Sequence, residues 1–211
     1  MTLPPVYAIV DQETARRHGW EVPALARAYL EGGARLLQVR APTATGAELL
    51  RWCEEIVADA HACQAQVIVN NRVDIAILAG ADGVHVGQTD LDLSRVRRML
   101  SVPAVVGLST HTCDQVDGIA PDTATYAAVG PIYETRTKAT GYDAVGGALV
   151  RYAARRLSCP LVAIGGITLE RAPAVIDEGA SAVAVISDLL VGNDPVRRVR
   201  DYVEALGSRP K

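Results

Sequence analysis

Leu161-Val162-Ala163-Ile164-Gly165-Gly166-Ile167-Thr168, followed downstream by Ala182-Val183-Ala184-Val185-Ile186-Ser187, carries the pattern on which the fold turns. Each stretch is a short, nearly continuous apolar run that ends in glycine or a polar residue. Such runs suit strands buried on both faces, which means a parallel sheet with helices outside. Working outward, the same unit recurs roughly every 20 to 30 residues, with helical spacing between copies as in Pro23–Tyr29 and Glu48–His61. The other runs are Val6–Val10, Leu36–Val39, Val67–Val69, Gly83–Val86, Ala104–Leu108 and Tyr126–Val129. Eight units predict an α/β chain closed into a (β/α)8 TIM barrel, one domain over residues 1–211. The rival, a doubly wound sheet, needs a glycine-rich turn after an early strand, and Asp11-Gln12-Glu13 is no such turn.

Composition narrows the function classes. A net charge of −3 with 21% charged residues supplies no basic field to hold nucleic acid or an anionic membrane, so any phosphate must be held locally. The expected partners are small molecules, with oligomeric state open. Cys53, Cys63, Cys113 and Cys159 form no C-x-x-C pair and read as reduced core thiols rather than zinc ligands. The start, MTLPPVYAIVD, has no basic region ahead of an apolar stretch, and no apolar run reaches a membrane span, so a cytoplasmic location is expected. Gly-x-Ser-x-Gly, Walker and His-Glu-x-x-His motifs are absent, which disfavours hydrolase, triphosphatase and zincin chemistry.

In such barrels the active site lies at the C-terminal ends of the strands, so the polar residues there carry weight. Gly165, Gly166, Ile186 and Ser187 sit where backbone N–H groups commonly cradle phosphate, a fairly specific signal whose plainer alternative is a tight turn with Thr168 as helix N-cap. Gln38 and Arg40 are alternate residues on one face of the second strand, an amide and a fixed cation suited to phosphate; an ordinary surface arginine is the plainer alternative. Asn70, Asn71 and Asp90 offer hard oxygen donors for Mg2+, or else serve as turn and cap residues. Thr135-Arg136-Thr137-Lys138 reads as a loop able to close over a polyphosphate, or as a solvated segment. Ser109 ends the fifth run, and His85 and His111 are proton-carrier candidates or satisfied structural histidines.

Taken in order, Tyr7–Asp11, Gln38-Val39-Arg40, Asn70–Asp74, Gly83–Asp90, Gly107–His111, Gly130-Pro131, Thr135–Lys138, Ala163–Ile167 and Val185–Ser187 resemble the thiamine phosphate synthase family over nearly the whole chain. The superfamily also contains a thiazole tautomerase. The resemblance implies a transferase that joins 4-amino-5-hydroxymethyl-2-methylpyrimidine diphosphate to 4-methyl-5-(2-phosphoethyl)thiazole with Mg2+ and releases diphosphate, the carbon–oxygen bond breaking before the thiazole nitrogen attacks. It assigns Gln38 to the pyrimidine, Arg40, Asn70, Ser109 and Lys138 to diphosphate, and Asp90 to the metal, with Asn71 beside it. Arg40, Ser109 and Lys138 are then the catalytic candidates, and His85 lines the substrate site. Thr135, Thr137, Gly165, Gly166, Ile186 and Ser187 would hold the thiazole phosphate.

Two positions depart from the family pattern. The family usually carries Lys where this chain has Pro42 and Asp where it has Asn71, and both fall on the diphosphate–metal half of the rim. Two alternatives therefore accompany the synthase reading: a thiazole tautomerase-like isomerase with His111 as proton carrier, and a non-catalytic binder of thiamine or thiazole phosphate.

Overall fold

β-branched and small apolar residues favour pleated, doubly buried backbone, and every predicted run forms a strand to within two residues at each end. The computed structural model describes residues 2–100, 103–135 and 141–207. The strands are β1 (Val6–Asp11), β2 (Leu36–Arg40), β3 (Gln66–Asn70), β4 (Gly83–Val86), β5 (Val105–Thr110), β6 (Tyr126–Val129), β7 (Leu161–Ile164) and β8 (Ala182–Val185). Each pairs in parallel with the next, and β8 closes on β1 through the register Val6 to Val183 and Ala8 to Val185. Around them run α1 (Gln12–Arg17), α2 (Val22–Glu31), α3 (Gly46–Ala62), α4 (Val73–Leu78), α5 (Leu93–Met99), α6 (Cys113–Asp117), α7 (Gly146–Arg156), α8 (Ala172–Asp177) and α9 (Pro195–Gly207).

Alternation along the strands divides the side chains into two cores. Val6, Ala8, Val10, Leu37, Val39, Val67, Val69, Val84 and Val86 pack outward against the helices. Tyr7, Ile9, Leu36, Ile68, Val105, Tyr126, Ala128, Val162, Ala182 and Ala184 fill the interior. Gln38, Arg40, Asn70, His85 and Ser109 share the inward parity of their strands, so the same period that builds the barrel aims these polar groups into its mouth.

Helix ends behave as their local chemistry demands. The Asp11 carboxylate accepts from the Thr14 backbone N–H and hydroxyl at the start of α1, and Thr45 and Thr112 cap α3 and α6. Gly80 and Gly179 take positive φ of 66° and 113° in the links from α4 to β4 and α8 to β8, as the repeated Ala-Gly-Ala-Asp and Glu-Gly-Ala-Ser stretches require. The expectation of core thiols needs correction: only Cys53 is buried, where desolvation pushes its thiol up to about 12, whereas Cys63 and Cys113 are exposed. Both lie where helices meet solvent, so their side chains need no partner.

Candidate active site

A narrow cleft of about 50 Å3 descends into the barrel mouth between Gln38, Arg40, Asn70, His85 and Ser109, floored by Tyr7, Ala128 and Val162. The strands supply this convergence: Asn70 stands opposite His85, and His85 opposite Gly107, in the paired registers of β3, β4 and β5. Arg40 is held by Asp11 at 2.5 Å, with side-chain exposures of 15% and 1%. A buried carboxylate shared between an arginine and a helix cap fixes the guanidinium over the cleft instead of leaving it loose in solvent. That arrangement excludes the reading of Arg40 as an ordinary surface residue.

Below the rim the polar groups join into one network. Gln38 Nε2 donates to the Tyr7 hydroxyl at 2.9 Å, and the Tyr7 and Tyr126 hydroxyls meet at 2.8 Å. Tyr126 lies 2.9 Å from His85 Nδ1, and His85 Nε2 lies 2.8 Å from Ser109 Oγ. Burial raises both phenols well above their ordinary value, so each remains a neutral O–H group.

The second concavity, about 390 Å3, is lined by Glu134, Thr135, Ile164 to Thr168, Arg171 and Ala184 to Asp188. Gly165 and Gly166 adopt φ of 101° and 62°, and an added Cβ would meet Pro131 at 2.5 Å and the Glu134 carbonyl at 2.6 Å, respectively. Only glycine lets the β7 turn fold this closely over the β6 loop. The two halves of the cup are stapled where Leu169 N–H donates to Asp188 at 3.2 Å; Asp188 also receives Arg198 at 2.7 Å and the Tyr202 hydroxyl at 2.7 Å from α9. Thr168 does not cap α8, which begins only at Ala172 after Arg171 and has no side-chain cap. Arg171 lies instead at the cup, donating to the Gly166 carbonyl at 2.9 Å with its guanidinium 4.5 Å from the Tyr133 ring centroid.

The predicted residues thus separate into three groups. Gln38, Arg40, Asn70, His85 and Ser109 meet in the cleft, and Thr135, Gly165, Gly166, Ile186 and Ser187 meet in the cup. The cleft and cup share Ile164, Ala184 and Ile186 as a common wall. Asn71 and Asp90 line neither. Asp90 faces an open hollow beside Gln88, with one oxygen 3.0 Å from Asn71 Nδ2 and the other 2.7 Å from the Gly87 N–H. Asn71 takes φ of 63°, a conformation asparagine tolerates. Among the described residues no cluster of three or more His, Cys, Asp or Glu side chains forms. Thr137 and Lys138 lie outside the described residues.

His111 stacks on Tyr142 with centroids 4.1 Å apart, and its Nδ1 is 2.5 Å from the Gly130 carbonyl oxygen. Gln115 spans the pair, accepting from the His111 N–H and donating to the Tyr142 hydroxyl. Sequence reasoning missed Tyr7, Tyr126, Thr168 and Arg171 as members of the site. Strand parity was a usable signal for the tyrosines: Tyr7 sits an even number of residues before rim-facing Asp11, on the inward face.

A family model described as thiamine monophosphate synthase matches residues 6–189. The thiamine-phosphate synthase of Methanospirillum hungatei is 37% identical over 201 residues, covering 95% of this chain and 97% of that protein. That of Koribacter versatilis is 39% identical over 214 aligned residues, covering 99% and 98%. Among solved structures, thiamine phosphate pyrophosphorylase from Pyrococcus furiosus superposes with a TM-score of 0.86 at 26% identity, covering 97% of this chain and 98% of that one.

Proposed function

The chain belongs to the thiamine monophosphate synthase family, and from that premise we propose how its barrel rim joins 4-amino-5-hydroxymethyl-2-methylpyrimidine diphosphate to 4-methyl-5-(2-phosphoethyl)thiazole, giving thiamine phosphate and diphosphate. It is a transferase of thiamine biosynthesis. The observation that carries the assignment of substrates to places is the shared wall of Ile164, Ala184 and Ile186, which sets a cleft with a fixed cation against a glycine-lined cup. Two substrates with an anion apiece fit two adjoining concavities.

In this reading the pyrimidine enters the cleft against Gln38 and His85, and its diphosphate meets Arg40, Asn70, Ser109 and Lys138. The thiazole phosphate occupies the cup through Thr135, Thr137, Gly165, Gly166, Ile186 and Ser187, with Arg171 adding a positive charge at its edge. The carbon–oxygen bond to diphosphate breaks with its electron pair leaving on the diphosphate. The thiazole nitrogen lone pair then forms the carbon–nitrogen bond, and no proton need move. Arg40, Ser109 and Lys138 act by stabilising charge that grows on the departing anion, which matters most in a site that excludes water. Seating both partners in adjoining concavities that share Ile164, Ala184 and Ile186 as lining supplies orientation.

Asp90 and Asn71 are oxygen donors compatible with Mg2+, an ion held commonly by one or two carboxylates plus substrate phosphates. When bound there, Mg2+ would neutralise diphosphate oxygens. Asp90 is the single carboxylate of that pair, held in place by Asn71 and Gly87. One domain spanning residues 1–211 and a cytoplasmic setting complete the proposal; no helix among the described residues is long and apolar enough to cross a membrane. The direct test incubates the protein with both substrates and Mg2+ and measures thiamine phosphate by fluorescence after oxidation. Product is expected, and its absence overturns the proposal.

A further inference from the structure

Five polar side chains link the two ends of the cleft through the barrel interior, running from Gln38 through Tyr7, Tyr126 and His85 to Ser109. Their exposures are 4% for Gln38, 1% for Tyr7, 0% for Tyr126 and 8% for His85, so solvent has little access to reorder them. Gly107 makes the crossing possible: a Cβ there would fall 2.4 Å from the Tyr126 hydroxyl and 2.6 Å from His85 Nδ1.

Every member has a limited supply of protons, which makes the chain directional. Gln38 Nε2 can only donate, so Tyr7 accepts from it and passes its single proton to Tyr126. That leaves the Tyr126 proton for His85 Nδ1, and an imidazole that accepts there has its one proton on Nε2 to give to Ser109 Oγ. The Ser109 hydroxyl proton is left to point into the cleft. Chemistry at the far end agrees independently. A diphosphate oxygen is purely an acceptor, so Ser109 serves it only as a donor. Run in reverse, the chain would spend the serine proton on His85 and turn the Gln38 amide N–H groups toward the pyrimidine.

We propose that this one-way hydrogen-bond chain makes Ser109 a proton-presenting ligand of the leaving diphosphate and, at its other end, makes Gln38 present its carbonyl oxygen to the amino group of the pyrimidine. Tyr7, Tyr126 and His85 are positioning residues in this scheme, which rests on the synthase assignment. The two ends are coupled: an anion at Ser109 and an amino group at Gln38 favour the same proton order, whereas a ring presenting a carbonyl in place of the amino group opposes it.

The tautomer of His85 decides the direction without any turnover. In protein carrying 15N-labelled imidazole, with the His85 signals identified by their loss in His85→Gln, the expected state is Nε2 protonated and Nδ1 unprotonated. Protonation at Nδ1, or an imidazolium at neutral pH, overturns the proposal. A double-mutant cycle on kcat/KM for the pyrimidine diphosphate tests the consequence. Tyr126→Phe should lower it about tenfold beside Ser109, the scale of one hydrogen bond to a charged group, and by less than about twofold in the Ser109→Ala background. Equal losses in both backgrounds would mean that Tyr126 acts only by packing, and would overturn the proposal. If wild-type protein forms no thiamine phosphate, the functional assignment fails while the tautomer still reports on the chain.

Discussion

Arg171 shows how much a single residue can depend on its surroundings. Its guanidinium is pinned by the Gly166 carbonyl and the Tyr133 ring at the edge of the cup. Losing one charge-assisted contact to phosphate costs about 1.5 kcal/mol or more, which is about tenfold in affinity. Arg171→Ala should therefore raise KM for the thiazole phosphate about tenfold, leave KM for the pyrimidine diphosphate unchanged, and have little effect with the unphosphorylated thiazole alcohol. Steady-state kinetics with the three compounds checks this, and an equal change for phosphate and alcohol would assign Arg171 to scaffolding. Tyr29 is the opposite case: its ring is fully buried, and its hydroxyl is the one buried side-chain polar atom among the described residues without a hydrogen-bond partner. Removing an unsatisfied buried hydroxyl relieves a desolvation cost of about 1 to 3 kcal/mol. Tyr29→Phe is expected to keep or raise the melting temperature in calorimetry, and a marked fall would reveal a partner for that oxygen.

Elements translate local pattern into direction. Period-two alternation sends the valines of β1 to β4 outward and Gln38, Arg40, Asn70 and His85 inward; that alternate residues share a face is legible from the order of residues, whereas which face lines the interior is decided by closure of the barrel. Strand ends are less legible. Thr110, beyond the predicted end of the fifth run, is fully buried and donates to the Ala128 carbonyl at 3.0 Å, so a neighbouring strand extends β5 past its apolar residues. Gly107 reads in sequence as a weak point in a strand, yet its real constraint is the Tyr126 ring and His85 lying where a side chain would stand. Gly107→Ala should destabilise the fold by about 2 kcal/mol or more in chemical unfolding, the range for forcing extra carbon into a packed interior. Wild-type stability in that variant would show that β5 and β6 can separate at no cost.

At the scale of the whole molecule, closure of the barrel brings the loops after β2, β3 and β4 to one side of the mouth. Pro42 and Asn71, the two departures from the family pattern, follow β2 and β3, and the proposed function assigns both to the diphosphate–metal region although they are well apart in the chain. Restoring Pro42→Lys together with Asn71→Asp adds a cation and a carboxylate there. The expected result is a rise in synthase rate of about tenfold at limiting Mg2+, the scale of one charge-assisted contact. An unchanged or lower rate would show that other residues already compensate.

The order of residues by itself determined the eight strands, the shared face of Gln38 and Arg40, and the family to which the rim motifs belong, because strand periodicity and short glycine turns are local properties. Only the tertiary structure decided that cleft and cup share a wall, that Arg40 is locked by Asp11, and that Gln38 reaches Ser109 through two tyrosines and a histidine. Those contacts join residues remote in sequence across a closed barrel, where geometry depends on closure, tilt and side-chain volume, none of which is written in any one stretch of the chain.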